Sequence, residues 1–208
     1  MTTRIVLIRH GQTAWNREAR FRGQSDVPLE EFGLKQAEAT ARYVAARWPL
    51  VAVYASPLSR AMQTAKPIAQ AQGLTTQPLG GLIDINFGKL QGLLATEAEQ
   101  RYPELYHAWM NAPHTTHFPG GESLNVVRSR ISAALDEVVV RHPGQTVALV
   151  SHTVVNRVLL CVVLGWGNDR FWRMHQETCA VNVFDVEEDG TFTIIQLNDS
   201  GHLLGLEE

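Results

Sequence analysis

The sequence predicts an α/β fold of three layers, helices over a mostly parallel central sheet over helices. Two observations carry this. Short, wholly apolar strand-like runs alternate with amphipathic helical stretches, as in sheets covered on both faces. Near the end, "AVNVFDV" and "TFTIIQL" flank "EEDG", a hairpin signal that adds antiparallel strands to one side.

The elements follow in order. "RIVLI" is the first strand. From Leu34 to Trp48 the residues Leu34, Ala37, Ala41, Val44, Ala45 and Trp48 recur at helical spacing, and Pro49 ends the run. "VAVYAS", 51–56, is a second strand. Residues 57–72 read as a helix that Pro67 must kink or interrupt, with Gly73 suited to its end. Leu124, Val127, Ile131, Leu135 and Val138 mark a long helix stopping at "HPG". "TVALV" is a buried strand, and a helix occupies about 153–164. The stretch 82–121, rich in aromatics and broken by Pro103, Pro113 and Pro119, breaks the alternation and reads as a helical insertion over one edge of the sheet, covering the site.

With 208 residues, 45% hydrophobic and 19% charged, the chain suits one domain over 1–208. A net charge of −3 argues against a broad basic face for nucleic acid. The longest apolar run, Val158 to Leu164, falls far short of the roughly 20 residues of a membrane span, and the opening "MTTRIVLI" holds no long apolar core. The expectation is a soluble, cytoplasmic protein with no membrane partner. Cys161 and Cys179 lack CxxC spacing and read as reduced core residues.

Two strands end alike. "IVLI" runs into Arg9-His10-Gly11 and "VALV" into Ser151-His152-Thr153, each followed by a helix. In an open α/β sheet the carboxyl ends of strands face the ligand crevice, so the two histidines can meet there. "SPLSRAMQTA" brings Arg60 to the same edge on a first helical turn.

The runs "LIRHGQTAWN", "FRGQSDVPL", "SPLSRAMQTA", "LIDINFGKLQG", "PGGES" and "LVSHTVVNRVLL" resemble, in order and spacing, the motifs of the histidine phosphatase superfamily, the phosphoglycerate-mutase-like proteins, over essentially the whole chain. The resemblance implies that fold, a metal-independent and cofactor-free phosphoryl transfer, and His10 as the phosphorylated nucleophile. The chemistry agrees: a phosphate monoester dianion repels nucleophiles unless positive charge surrounds its oxygens, a task that suits the bidentate guanidiniums of Arg9 and Arg60. A neutral imidazole can attack phosphorus if an acceptor, here a backbone carbonyl after His10, holds its other nitrogen. It places His152 beside the transferring group, and Asn16, Arg22 and Gly23 around the phosphate. Arg22 departs from the glutamine many relatives carry; it either adds a third positive group or turns to solvent. The family's general acid is usually glutamate, and the aligned slot holds Asp84, with neutral Asn86 two residues on.

His114 and His117 invite a metal reading that lacks acidic or cysteine partners at ligand spacing. His107 is expected with Tyr102, Tyr106, Trp109 and Met110 on the packed underside of the insertion, those aromatics also offering a pocket wall. His202 either folds over the pocket or caps the last strand. Between Leu82 and Gly120 only Lys89 and Arg101 stand against Asp84, Glu97, Glu99 and Glu104, a balance that disfavours a bisphosphate and so favours a phosphatase acting on a small phosphomonoester. The alternatives are mutase-type phosphotransfer and a catalytically weak phosphate- or phosphoprotein-binding module. Oligomeric state is not legible.

Overall fold

The computed structural model describes residues 1–207. In chain order the elements are β1 (Thr3–Arg9), α1 (Ala14–Arg17), α2 (Glu31–Ala45), β2 (Ala52–Ala55), α3 (Ser59–Gln70), β3 (Thr76–Pro78), α4 (Ala95–Arg101), α5 (Pro103–Asn111), α6 (Leu124–Arg141), β4 (Thr146–Ser151), α7 (Thr153–Val163), β5 (Val181–Val186) and β6 (Phe192–Asp199), with short 3₁₀ segments among and after them. They form one sheet of six strands, ordered β3-β2-β4-β1-β5-β6. The first four of that order run parallel, and β5 and β6 join antiparallel.

Alternation along the strands sorts the core into two sides. Ile5 and Leu7 of β1 and Val147 and Leu149 of β4 face α6 and α7, whereas Val6, Ile8, Ala148 and Val150 face α2 and α3. The three-layer reading therefore holds. No helix among the described residues is long and apolar enough to cross a membrane. Cys161 and Cys179 are buried and unpaired with each other.

Four local expectations change. The second helix begins at Glu31 and ends at Ala45, so Trp48 follows it; Trp48 is buried against the α2–α3 side although it is not helical. α3 runs through Pro67 without a break, because the proline φ is helical and Ile68 and Ala69 beyond it are anchored in the core. β3 was not expected: "TQP" has no apolar alternation, and it pairs only along the sheet edge beside β2. The segment 82–121 meets the sheet's face and not an edge strand, since Leu82, Ile85, Phe87, Leu90, Trp109 and Phe118 join the core under α6 and α7.

Candidate active site

β1 and β4 are parallel neighbours with Arg9 opposite Ser151, so the next residue of each, His10 and His152, leaves the sheet side by side. Their ring centroids lie 5.1 Å apart. His10 Nδ1 is 2.7 Å from Gly11 O, and a carbonyl only accepts, so the proton sits on Nδ1 and the lone pair on Nε2. Nε2 is buried without a partner. Burial, followed by the charges of Arg60, Arg9 and Arg22, holds this imidazole well below its ordinary 6.5 and keeps it neutral.

Backbone packing fixes that carbonyl. Gly11 N–H bonds Thr64 Oγ at 3.0 Å. A Cβ at Gly11 would sit 2.7 Å from Gly33 O, and one at Gly33 would overlap Gln12 O, so the turn after β1 and the start of α2 touch backbone to backbone.

Arg60, fully buried on the first turn of α3, donates from Nη1 to Ser25 O at 2.8 Å, and from Nη2 to Gly23 O at 2.7 Å and Asp84 Oδ2 at 3.2 Å. Its Nε donates to His152 Nδ1 at 3.2 Å. His152 Nε2 then carries the proton and donates to Ser56 Oγ at 2.7 Å. Burial first, then Arg60 and His10, lower the His152 pKa far below 6.5.

Arg9 donates from Nη1 to Gln176 O at 2.5 Å, and its Nε is buried and unpartnered. Burial, then repulsion from Arg22 and Arg157, push this guanidinium down to about 9, more than attraction from Glu177 offsets. Arg22 turns inward: Nη1 reaches Trp15 O at 3.2 Å and Nε is another buried orphan. Gly23 holds φ at 50°, and a Cβ there would lie 2.8 Å from Ile85 O, so the carbonyl that Arg60 grips depends on glycine. Asn16 lines the same pocket, its Oδ1 accepting from Thr13 N at 3.0 Å and Thr13 Oγ at 2.8 Å.

Asp84 is 5% exposed. Its Oδ1 accepts from Ile85 N at 2.9 Å, and Oδ2 stands 3.7 Å from His152 Nδ1. Burial raises its carboxyl above the ordinary 3.8 although Arg60, Arg22 and the Ile85 N–H pull the other way. Asn86 serves its own turn, its Oδ1 accepting from Gly88 N at 2.8 Å.

Above these groups opens a pocket of about 420 Å³, walled by Phe21, Tyr106, Trp109, Met110 and Trp172 and holding Arg9, Arg22 and Asp84 at its polar end. The aromatic wall expected of the insertion is thus present, but His107 points to solvent. His202 does not reach the pocket: it stacks on Tyr43 at 4.5 Å and meets Thr40 Oγ at 3.0 Å, both on α2. No group of three or more His, Cys, Asp or Glu among the described residues could hold a metal, His114 and His117 included. Sequence reasoning missed Ser56 and Thr64, ordinary helix and turn residues that only tertiary approach brings here. It also missed Arg157, whose signal was its place one turn beyond Thr153 on the helix leaving β4.

Two neutral histidines following parallel strands, joined at one concave end by arginines from β1, a loop and α3, define a class of α/β protein suited to holding a phosphate-like dianion against an imidazole. The chain belongs to the histidine phosphatase superfamily (branch 1), whose sequence profile matches residues 5–200. It is 38% identical, over 96% of its length and 94% of the relative's, to phosphoserine phosphatase 1 of Hydrogenobacter thermophilus. It is also 38% identical to a metal-independent phosphoserine phosphatase of Arabidopsis thaliana, over 76% of this chain and 67% of that one. Among solved structures, Bacillus stearothermophilus YhfR superposes with a TM-score of 0.91 at 30% identity, covering 97% of this chain and 99% of that one.

Proposed function

We propose that this chain, a single domain with 82–121 as the cover of its site, hydrolyses a small phosphomonoester through a phosphohistidine on His10. Hydrolysis of phosphorylated metabolites rests on the family and on the phosphatases among its relatives. The phosphohistidine rests above all on one observation, a buried His10 Nε2 with no partner whose Nδ1 is held by Gly11 O.

In this reading Arg9, Arg22 and Arg60 surround the phosphoryl oxygens, with Asn16 and Gly23 shaping the rim. Arg60 is largely committed to Gly23, Ser25, Asp84 and His152, and keeps one Nη1 N–H for the phosphate. His10 Nε2 attacks phosphorus as the ester P–O bond breaks, and protonated Asp84 gives its proton to the departing alkoxide. The same carboxylate then takes a proton from water as the water oxygen attacks phosphorus. The P–N bond breaks, and inorganic phosphate leaves. Guanidiniums supply the charge stabilisation throughout, so the step requires neither metal nor cofactor. A phosphoserine-like substrate and a cytoplasmic location belong to the same proposal, the latter supported by two buried, unpaired cysteines.

The test is rapid quenching with ³²P-labelled substrate. The trapped adduct is expected to be acid-labile and base-stable, as a phosphoramidate is, and His10→Ala is expected to abolish both adduct and turnover while leaving the circular dichroism spectrum unchanged. Label on an aspartate or serine would overturn the assignment.

A further inference from the structure

The pocket and the buried His10 beside it hold more unpartnered polar atoms than a phosphate needs. Arg9 Nε, Arg22 Nε and His10 Nε2 are orphans that the proposed phosphoryl group would satisfy. Two remain on the same wall: Thr153 Oγ and Arg157 Nε, both buried and both without a hydrogen bond. They lie four residues apart on α7, hence one above the other on a single helix face.

Arg157 is held and not paired. Its guanidinium carbon sits 5.0 Å from the Trp172 ring centroid and 5.4 Å from that of Phe171, and it has no carboxylate partner among the described residues. The aromatic contacts fix the fork while leaving its N–H edge open. The other arginine of this wall, Arg20, is already bound to Glu18 at 2.8 Å and Gly92 O at 2.7 Å.

We propose that Arg157, with Thr153 Oγ, forms a second anion subsite that reads a carboxylate on the organic part of the substrate. The inference rests on the phosphomonoester reading of the pocket and narrows it. Charge decides for a carboxylate over a second phosphate. Arg9, Arg22 and Arg60 face the phosphate dianion at the other end, and Arg157 is the one positive charge this second site offers, which suits a monoanion. A planar carboxylate also fits the parallel N–H pair of one guanidinium. The pocket volume of about 420 Å³ admits a three- or four-carbon skeleton spanning both ends.

The experiment uses two non-hydrolysable phosphonates that differ only in the carboxylate, 2-amino-4-phosphonobutanoate and 3-aminopropylphosphonate, titrated into the intact chain by calorimetry. The native chain is expected to bind the carboxylate-bearing compound roughly ten- to a hundredfold more tightly, the range for a hydrogen bond between charged groups. Arg157→Met, which keeps length and apolar packing, is expected to bring the two affinities within about threefold by removing that bond, and Arg157→Lys to restore part of the gap. In turnover of O-phosphoserine against phosphoethanolamine, the loss is expected in KM more than in kcat. A native chain that does not favour the carboxylate, or a preference that survives Arg157→Met, overturns the subsite. Carboxylate preference in a chain that hydrolyses neither ester would sink the phosphatase reading and leave the subsite standing, whereas binding of neither phosphonate would overturn both.

Discussion

A carboxyl buried beside a guanidinium can be ionised and paired or protonated and neutral, and at Asp84 burial tips the balance toward the proton. If Asp84 is the acid, Asp84→Asn should slow phosphoenzyme formation from alkyl phosphates by roughly 10² to 10⁴-fold, while p-nitrophenyl phosphate, which leaves as a stabilised phenolate, should be far less affected in that step. Pre-steady-state bursts for the two esters measure this, and equal slowing of both would remove Asp84 from the role. The pH dependence has a matching sign. The alkyl burst should fall as pH rises through the raised Asp84 pKa, and that alkaline limb should vanish in Asp84→Asn. At this scale His10, His152, Arg9 and Arg60 were legible because they directly follow strands or open a helix at the sheet's carboxyl edge. Ser56 and Arg157 were not, because a serine in a turn and an arginine on a helix are ordinary until a tertiary neighbour gives them a task.

Elements were legible wherever apolar spacing alone decided them, as in β1, β4, α6 and α7. Trp48 misled the reading of α2 because burial and helical spacing coincide there without a helix, and β3 was invisible because edge pairing needs no buried side chain. The less expected constraint is the join between α2 and the turn after β1. Gly33→Ala would drive a methyl into Gln12 O and push the turn that carries the Gly11 carbonyl. The expected outcome is a loss of about 1–3 kcal/mol of stability, as for other overpacked sites. Because the same carbonyl orients His10, activity should fall further than stability explains. Urea denaturation and kcat measured on the same variant separate the two effects. A variant that loses stability but keeps full kcat in its folded fraction would show that the turn does not set the imidazole.

Across the whole molecule the site is a cost carried by the sheet. His10 and His152 are fully buried at the end of a six-stranded core with lowered pKa values, and His202, packed against α2, is shifted the same way by burial. A histidine whose folded pKa lies below its unfolded value binds its proton first in the unfolded chain. Its contribution to stability is therefore complete above the unfolded pKa, near 6.5, and is lost as pH falls from there toward the folded pKa. Each such group adds a slope of up to about 1.4 kcal/mol per pH unit across that window. Asp84 works in the opposite sense. Its raised folded pKa favours folding below 3.8 and withdraws that support as pH rises through the folded value, so it offsets part of the histidine loss on the acid side. The net expectation is a chain that weakens steeply between about pH 6.5 and 5. Urea midpoints taken across pH 5 to 8 measure it directly. His152→Asn keeps a polar side chain near Ser56 but cannot titrate, so it should flatten the slope below pH 6.5. An unchanged slope in that variant would mean that His152 is already protonated in the folded chain, with its Nδ1 donating to Asp84 and not accepting from Arg60.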